Sequence, residues 1–387
     1  MLRKTVKATN VLVFFLLLAL PGLGQELAKE QAIGKLEVVA AFYEAMPTGV
    51  TVANDGRIFV NFPRWGDTVE YTVAELKDNR TVAYPDAEIN RYQEGENLAE
   101  KLISVQSVVV DPGGERLWIL DTGSIAFALV NQGGPKLIAV DLNTNRIVKK
   151  IVFPPTVALK TSYLNDVRFD LQRGPEGMAF ITDSSSSGPN GIIVVDLASE
   201  KSWRRLNDHP STRPDPQFTP VVEGQILQVR LPGSPATRFV IGADGIAISP
   251  DGKTLFYCPL TSRHLYSVSV DALADQRRAD DQVAATVKDL GEKGGASDGL
   301  ESDAQSRVYL SDYEHNAILR RSSQGEIETL MHDPRALWPD NLSLAADGYL
   351  YFTANQLERQ PMFHNGQNLR QKPYVLFRLK VDGTRIQ

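Results

Sequence analysis

The sequence predicts an all-β fold: a six-bladed β-propeller of four-stranded antiparallel blades, with the ring closed by an N-terminal strand. Two observations predict it. One short template recurs six times, as a polar residue, a small or polar residue and then an apolar-x-apolar strand core. Most copies lead through a turn into a second β-rich run, as Asp55-Gly56 does into 58–60. Such repetition is typical of propellers, because a single blade cannot bury both of its faces.

The six copies are separated by intervals of 58, 59, 79, 54 and 42 residues. The fifth copy is a loose match, since Ser302 stands where an apolar residue is expected. An irregular β-sandwich is the alternative, but it does not explain six copies of one template. The lead residues of the six copies are all polar: Thr48, Gln106, Asn165, Asp244, Asp298 and Asp340.

Residues 1–24 read as a secretory signal peptide. They combine three cations, an apolar stretch at 11–20 and small residues at 21–24. The apolar stretch is too short for a membrane span, although an uncleaved anchor is the alternative. Cys258 is the only cysteine, so no disulfide framework is possible. We therefore expect a secreted or periplasmic, bacterial-type protein whose mature chain, 25–387, is one propeller domain.

The charge of the mature chain limits its partners. Without the signal peptide, 38 Lys and Arg stand against 47 Asp and Glu, which gives a net charge of −9. Such a surface argues against nucleic acid or anionic membranes as partners. We expect a monomer whose partner is a small-molecule ligand.

The two ends of the chain predict how the ring closes. A largely apolar strand at 36–43 precedes the first template, and 374–381 reads as the third strand of the sixth blade. The sixth blade thus lacks a fourth strand, and the N-terminal strand can supply it and remove an exposed edge. The outer strands of blades two to five are expected at 146–153, 203–206, 285–290 and 326–330.

Two long segments depart from the repeat. The proline-rich insertion at about 207–240 accounts for the interval of 79 residues, and 356–373 interrupts the last blade. Insertions of this length are usually lids or partner-facing loops. We expect either segment to roof one end of the channel.

Standard catalytic signatures do not carry a function here. The sequence has no phosphate-binding glycine loop, dinucleotide fingerprint or paired histidine motif. Gly295-Ala296-Ser297-Asp298-Gly299 matches a nucleophile elbow by its letters. That elbow needs a strand before it and a helix after it, whereas here a strand core follows, so the match is read as chance.

The lead residues are the candidate site, because the first strand of each blade lines the channel. Three interpretations remain open for them. They cap the channel by bonding loop amides, they ligate a hard cation such as Ca²⁺, or they form a polar floor for an organic ligand. The predicted ligand-binding residues are Gln106, Asn165, Asp244, Asp298, Asp340 and Asn341, and the predicted metal ligands are Asn165, Asp244 and Asp298.

A second set of acids follows the second strands of three blades. These are Asp121, Asp183 and Asp312. Because they recur with the repeat, we expect a structural role in which each bonds a neighbouring loop.

Several of these stretches resemble the yellow and major royal jelly protein family. They are SVQSVVVDP at 104–112 before LWILDTG at 117–123, FITDS at 180–184 before GIIVVDL at 191–197, and WPDN at 338–341 before DGYLYFT at 347–353. The resemblance covers nearly all of the mature chain. It implies a secreted six-bladed propeller that holds a small molecule, such as a cationic or aromatic amine, in its central channel.

The sequence is more distantly similar to propellers of the gluconolactonase and senescence-marker lactonase type. Asn165 and Asp298-Gly299-Leu300 fit their metal-binding pattern, although Thr48-Gly49-Val50 stands where those enzymes place a glutamate. This similarity implies the alternative function, a divalent-metal-dependent hydrolase of lactones or esters. Its metal would be Ca²⁺ or another divalent cation, and Asp298 would be the catalytic general base.

Overall fold

The computed structural model describes residues 31–386, and the predicted signal peptide at 1–24 lies outside them. The described chain opens with β1 (Leu36–Phe42) and then runs through five sequential four-stranded antiparallel sheets. Within residues 31–386, no helix has the length and apolar character that a membrane span requires.

The first three blades follow one another along the chain. They contain β2 (Val50–Val52), β3 (Ile58–Asn61), β4 (Val73–Lys77) and β5 (Arg80–Ala83); β6 (Val105–Val110), β7 (Arg116–Asp121), β8 (Lys136–Asp141) and β9 (Arg146–Val152); and β10 (Leu164–Asp170), β11 (Met178–Asp183), β12 (Gly191–Asp196) and β13 (Ser202–Arg205). A single helical turn, α1 (Ala87–Asn90), follows the first blade and is capped by the Asp86 carboxylate.

The insertion separates the third and fourth blades. It holds two small hairpins, β14 (Val221–Val222) with β15 (Gln225–Ile226) and β16 (Gln228–Val229) with β17 (Thr237–Arg238). The fourth and fifth blades contain β18 (Ala243–Ile248), β19 (Thr254–Pro259), β20 (His264–Ser269) and β21 (Lys288–Glu292), and β22 (Leu300–Ser302), β23 (Val308–Asp312), β24 (Ala317–Arg321) and β25 (Ile327–His332).

The outer strand of the fourth blade begins later than expected. The prediction placed it at 285–290, but β21 begins at Lys288. Two short helices, α2 (Val270–Ala274) and α3 (Asp280–Ala284), fill the connection from β20. Their apolar residues pack into the core of this blade, so an apolar stretch that resembled a strand is the end of a helical connection.

The sixth blade is completed by the N-terminal strand, as predicted. Its sheet runs β26 (Pro339–Leu344), β27 (Tyr349–Ala354), β28 (Tyr374–Lys380) and then β1. The β1–β28 pairing is antiparallel, from Leu36 opposite Leu379 to Phe42 opposite Tyr374. The all-β six-bladed fold and its closure are therefore confirmed.

The first strands of the blades form the inner ring. Strands β2, β6, β10, β18, β22 and β26 each pack against the next, and β26 packs against β2. Small residues make this possible: a Cβ added at Gly245 or Gly299 would lie 2.4 Å from a carbonyl oxygen of the next blade. The ring is thus held at backbone-to-backbone distance around a narrow channel.

Candidate functional site

Four of the six lead residues project into the channel because each sits in a break of its strand's register. The pairing of β6 with β7 shifts around Gln106, and that of β10 with β11 shifts around Asn165. Similar shifts occur at Asp244 in β18 and at Asp340 in β26. A bulge leaves its extra residue unpaired and redirects the side chain, so four blades present polar groups to the channel at a similar depth.

The carboxyl groups of three residues form a row across the channel at this depth: Asp244, Asp298 and Asp340. We call this level of the channel the floor. Asp298 lies in the middle and interacts through side-chain hydrogen bonds with Asp244 on one side and Asp340 on the other. All three side chains are buried. Adjacent carboxyls in a dry site cannot all ionise, so protons are shared along the row.

The row is not symmetric in charge. Burial raises the pKa of Asp244 and of Asp340 well above the usual range, and the charge of Asp298 raises both further. Burial also raises the pKa of Asp298, to about 6, while the indole of Trp338 and the two outer carboxyls lower it by donating hydrogen bonds. The Trp338 Nε1 lies 2.7 Å from Asp298 Oδ2. Asp298 is therefore the member of the row that ionises most easily.

Amide side chains complete the floor. The Asn165 Nδ2 donates to Asp244 Oδ1, and the Asn355 Nδ2 donates to Asp340 Oδ2 at 2.6 Å. Asn341 lies lower in the channel, where its Nδ2 is 3.3 Å from an oxygen of Asp166. The remaining lead residue is Thr48, in the first blade. It is fully buried and accepts a hydrogen bond from Asn61 instead of facing the channel.

A cavity of about 700 Å³ opens above the floor. Gln106, Asn165, Asp244 and Asp298 line its base, whereas Asp340 and Asn341 border a space of about 10 Å³ directly below. The structure thus brings four predicted ligand-binding residues to one cavity and places the other two beneath it. Their role in binding stays a prediction.

An aromatic cluster forms one wall of the cavity and was missed by sequence reasoning. The Trp65 and Phe127 rings stack with centroids 4.9 Å apart, and Tyr163 lies 5.1 Å from Phe127. Tyr163 also connects this wall to the floor, because its hydroxyl accepts from Trp65 Nε1 at 2.8 Å and donates to Gln106 Oε1 at 3.0 Å. We call Trp65, Phe127 and Tyr163 the aromatic wall.

The two long excursions form the opposite side of the cavity. We call 207–240 and 356–373 the roof segments. Phe239 of the first and Phe363 of the second meet edge to face with centroids 5.2 Å apart, and both line the cavity. The segments are also joined through main-chain hydrogen bonds from Arg230 N to Met362 O and from Asn365 N to Arg230 O, at 2.7 and 2.9 Å. Both segments therefore cover the same mouth.

Protein groups narrow the opposite mouth to a space of about 60 Å³. The buried Arg168 guanidinium pairs with Asp166 at 2.9 Å and donates to Leu300 O. Farther out, Arg385 donates to main-chain oxygens of the first two blades, including Val52 O and Val110 O. Access to the floor is therefore from the roofed side.

The second set of acids has the predicted structural role. Asp121 accepts from the amides of Ile103 and Ser104 at 2.6 and 3.0 Å, and it pairs with the buried Lys136 at 2.7 Å. Asp183 accepts from Tyr163 N, and Asp312 from Glu314 N. These carboxylates fix the loops that carry the floor and wall residues.

Among residues 31–386, no group of three or more His, Cys, Asp and Glu side chains is placed to hold a metal ion. Asn165 turns its amide nitrogen, not its oxygen, toward Asp244. The metal set of Asn165, Asp244 and Asp298, and the general-base role of Asp298, stay predictions.

The nucleophile-elbow match can be discarded. Ser297 is fully buried and lies just before β22, with no helix after it. Its hydroxyl is therefore closed to any substrate in the channel.

A six-bladed propeller with one roofed channel mouth is the class of protein that this structure defines. Similar solved structures are a luciferin-regenerating enzyme (TM-score 0.53, 11% identity, 91% of this chain and 99% of that chain) and the calcium-binding protein regucalcin from Agrobacterium tumefaciens (0.53, 13%, 90% and 98%). A protein proposed to be a gluconolactonase is equally similar (0.53, 11%, 91% and 94%). At these identities the likeness shows the fold alone.

The family is shown by sequence. The model of the major royal jelly protein family matches residues 103–382, and the chain belongs to that family, as the resemblance implied. Protein yellow of Drosophila erecta is 26% identical over 264 residues, which cover 65% of this chain and 46% of that protein. Protein yellow of Drosophila melanogaster is 25% identical with the same coverage. The match thus spans about half the length of these relatives.

Proposed function

We propose that this protein binds a small organic cation, an aromatic amine, in the cavity above the carboxyl row. The observation that carries the proposal is the juxtaposition of the aromatic wall and a buried floor centred on Asp298 within one cavity of about 700 Å³. Aromatic faces and a carboxylate are the two groups that recognise a ring bearing an ammonium. The predicted export of the chain is part of this proposal.

The charge of the floor supports a monovalent ligand. With Asp244 and Asp340 protonated, the row offers about one negative charge, which a single ammonium balances. A divalent cation would require the loss of further protons from two groups whose pKa is raised well above the usual range. The protonated neighbours also remain hydrogen-bond donors that hold Asp298 in place.

The wall supports an aromatic ligand. The outer ring, Phe127, is 42% exposed, so a flat ligand can reach it. Phe127 also follows Ala126 in a left-handed backbone stretch, with φ of 50° and 58°. Non-glycine residues adopt this conformation at a cost that surrounding contacts must offset. Here the stack on Trp65 provides such a contact and fixes the ring over the cavity.

Calorimetry with 2-phenylethylamine and the neutral 2-phenylethanol tests the proposal. The amine should bind and the alcohol should bind at least about tenfold more weakly, because only the amine pairs with Asp298. Phe127→Ala should weaken binding of the amine, since an aromatic contact contributes about 1 kcal/mol beyond its buried area. Leu129→Ala, on the same loop and 63% exposed outside the cavity lining, is the matched control. Equal affinity for the amine and the alcohol would contradict the proposed role of the floor.

A further inference from the structure

Glu358 is a buried acid that the channel floor does not use. It lies in the 3₁₀ turn Leu357–Arg359 of the second roof segment, and its side chain is 4% exposed. Neither carboxyl oxygen receives a hydrogen bond. An ionised carboxylate in this position lacks the donors that buried charges require.

The surroundings of Glu358 join the two roof segments. A second cavity, of about 340 Å³, lies between them and is lined by Glu223 on one side and Glu358 on the other. Phe363 borders both this cavity and the main one. Within the same turn, Leu357 lines the main cavity while Glu358 lines the second. A displacement of the turn therefore alters both.

Charged groups face Glu358 from each segment. Glu223, in the hairpin of the insertion, accepts two hydrogen bonds from Arg359, at 2.8 and 2.5 Å. The Arg359 Nε is 3.7 Å from Glu358 Oε1, and His364 donates to the Glu358 main-chain oxygen at 2.9 Å. Arg230 also lines this cavity. When protonated, Glu358 can donate to the neighbouring Glu223.

We propose that Glu358 and Glu223 form a proton-dependent latch between the roof segments, and that loss of the Glu358 proton opens the main cavity. The opening of the roof stands on the geometry of this contact. The consequence for ligand exchange rests on the proposed function of the cavity. Opening releases one proton to solvent, because an exposed Glu358 regains an ordinary acidity.

The direction of the pH effect follows from the burial. Burial raises the pKa of Glu358, and the charge of Glu223 adds to this effect against a lowering by Arg359, so that the value reaches about 8. In the open roof the ordinary value of 4.5 applies. Between these values the closed state holds a proton that the open state has lost. The open fraction therefore rises up to about tenfold per pH unit between 4.5 and 8, and it levels off above 8.

Hydrogen exchange of the full chain tests the latch without any ligand. The amides of Arg230 and Asn365 bridge the segments, so peptides that contain them report opening. After correction for intrinsic exchange, their protection should fall at least about tenfold from pH 5.5 to pH 8. Peptides from β27 should not change. A pH-independent protection of the bridging amides would overturn the proposal.

Neutral variants separate Glu358 from other titrating groups. Glu358→Gln should hold the protection constant over the same pH range, and Glu358→Met provides a second neutral side chain if the first variant folds poorly. Glu326→Gln, at an exposed position in blade five, should behave like the wild type. A fall in protection that persists in both neutral variants would assign the effect to His364 or another group and overturn the latch.

The link to ligand exchange uses 2-phenylethylamine as the probe. Its dissociation rate should rise with pH over the same window in the wild type and stay flat in Glu358→Gln. If the roof opens in hydrogen exchange but the amine does not bind at any pH, the proposed function fails and the latch stands. If the amine binds with a pH-independent dissociation rate, gating by the latch is overturned.

Discussion

Asp298 is the residue at which the charge of the channel floor is set. It accepts from Trp338 and from two carboxyls that keep their protons, so it is the member of the row that ionises most easily. Asp298→Asn should lower the affinity for 2-phenylethylamine by about 30-fold or more, because removing one member of a buried charge pair costs about 2 kcal/mol or more. Titration calorimetry measures this. An unchanged affinity would place the ammonium elsewhere in the cavity.

The pH dependence of amine affinity tests the same residue in the wild type. Burial raises the pKa of Asp298 to about 6. Below that value the group is neutral and offers no charge, so affinity should rise up to about tenfold per pH unit toward 6 and then level off. The ligand keeps its charge throughout, since alkylammonium groups deprotonate only near pH 10. A profile that is flat between pH 4.5 and 7 would contradict the charge assignment.

Lys136 shows how a buried charge supports the site from a distance. Its ammonium donates to Asp121 and to the main-chain oxygens of Leu98 and Gly134, and it is fully buried. Lys136→Met should lower the free energy of unfolding by about 3–5 kcal/mol, because it leaves Asp121 buried without its cation. Chemical denaturation measures this change.

Lys77 provides the matched control for Lys136. It pairs with Glu75 at 2.9 Å, but its side chain is 56% exposed. Lys77→Met should cost at most about 1 kcal/mol, since exposed ion pairs contribute little. Equal losses of unfolding free energy in the two variants would show that the buried pair contributes no more to stability than the exposed one.

At the scale of elements, the sequence predicted those strands that belong to the repeated template. The first strands were predictable because a polar lead residue precedes an apolar core, and the observed bulges at Gln106, Asn165, Asp244 and Asp340 follow from that break in alternation. The aromatic wall was not predictable. Trp65 and Phe127 lie in loops of different blades, with no shared sequence signal, and they meet because the first two blades pack side by side.

The roof segments were predictable in part. Their length and proline content indicated insertions, and their coverage of one mouth was an expectation that the structure supports. Their mutual contact was not predictable, because Glu223 and Glu358 lie far apart in the chain and in unrelated connections. Sequence patterns report local periodicity, whereas this contact depends on the curvature of the whole ring.

Strand β1 gives a prediction that separates closure from ordinary surface pairing. Ala40 is buried in the blade and Ala41 is exposed on the other face. Ala40→Asp should lower the free energy of unfolding by about 2–3 kcal/mol or more, because it buries a carboxylate without a partner. Ala41→Asp should change it by less than about 0.5 kcal/mol. Thermal melts of the two variants measure the difference.

Deletion of 36–42 removes the element altogether. The outer edge of β28 would be left unpaired, so soluble expression and a cooperative melt should both be lost. A truncated protein that melts like the full-length chain would show that the ring is held closed by the contacts between neighbouring blades alone.

At the scale of the whole molecule, the closed ring determines where the site lies, but it does not determine which ligand the site binds. Six first strands converge on one axis, so the polar lead residues of five blades meet at the channel floor. The same fold occurs in a calcium-binding protein and in a luciferin-regenerating enzyme, at 13% and 11% identity. The fold supplies the convergence, and the identity and protonation of the side chains decide what binds.

Chelation separates the amine-binding function from the metal-dependent hydrolase that the lead residues also allow. With Asp244 and Asp340 protonated and Asn165 donating to Asp244, stability should not depend on a divalent ion. A chelator should therefore leave the melting temperature unchanged, and 2-phenylethylamine at a hundredfold excess over its Kd should add about 2.7 kcal/mol of stability. Calorimetric melts with chelator, with added Ca²⁺ and with the amine measure all three. A melting temperature that falls with chelator and recovers with Ca²⁺ would support the metal set of Asn165, Asp244 and Asp298 and contradict the protonated row. Lactone hydrolysis that is lost on chelation would then support the metal-dependent hydrolase.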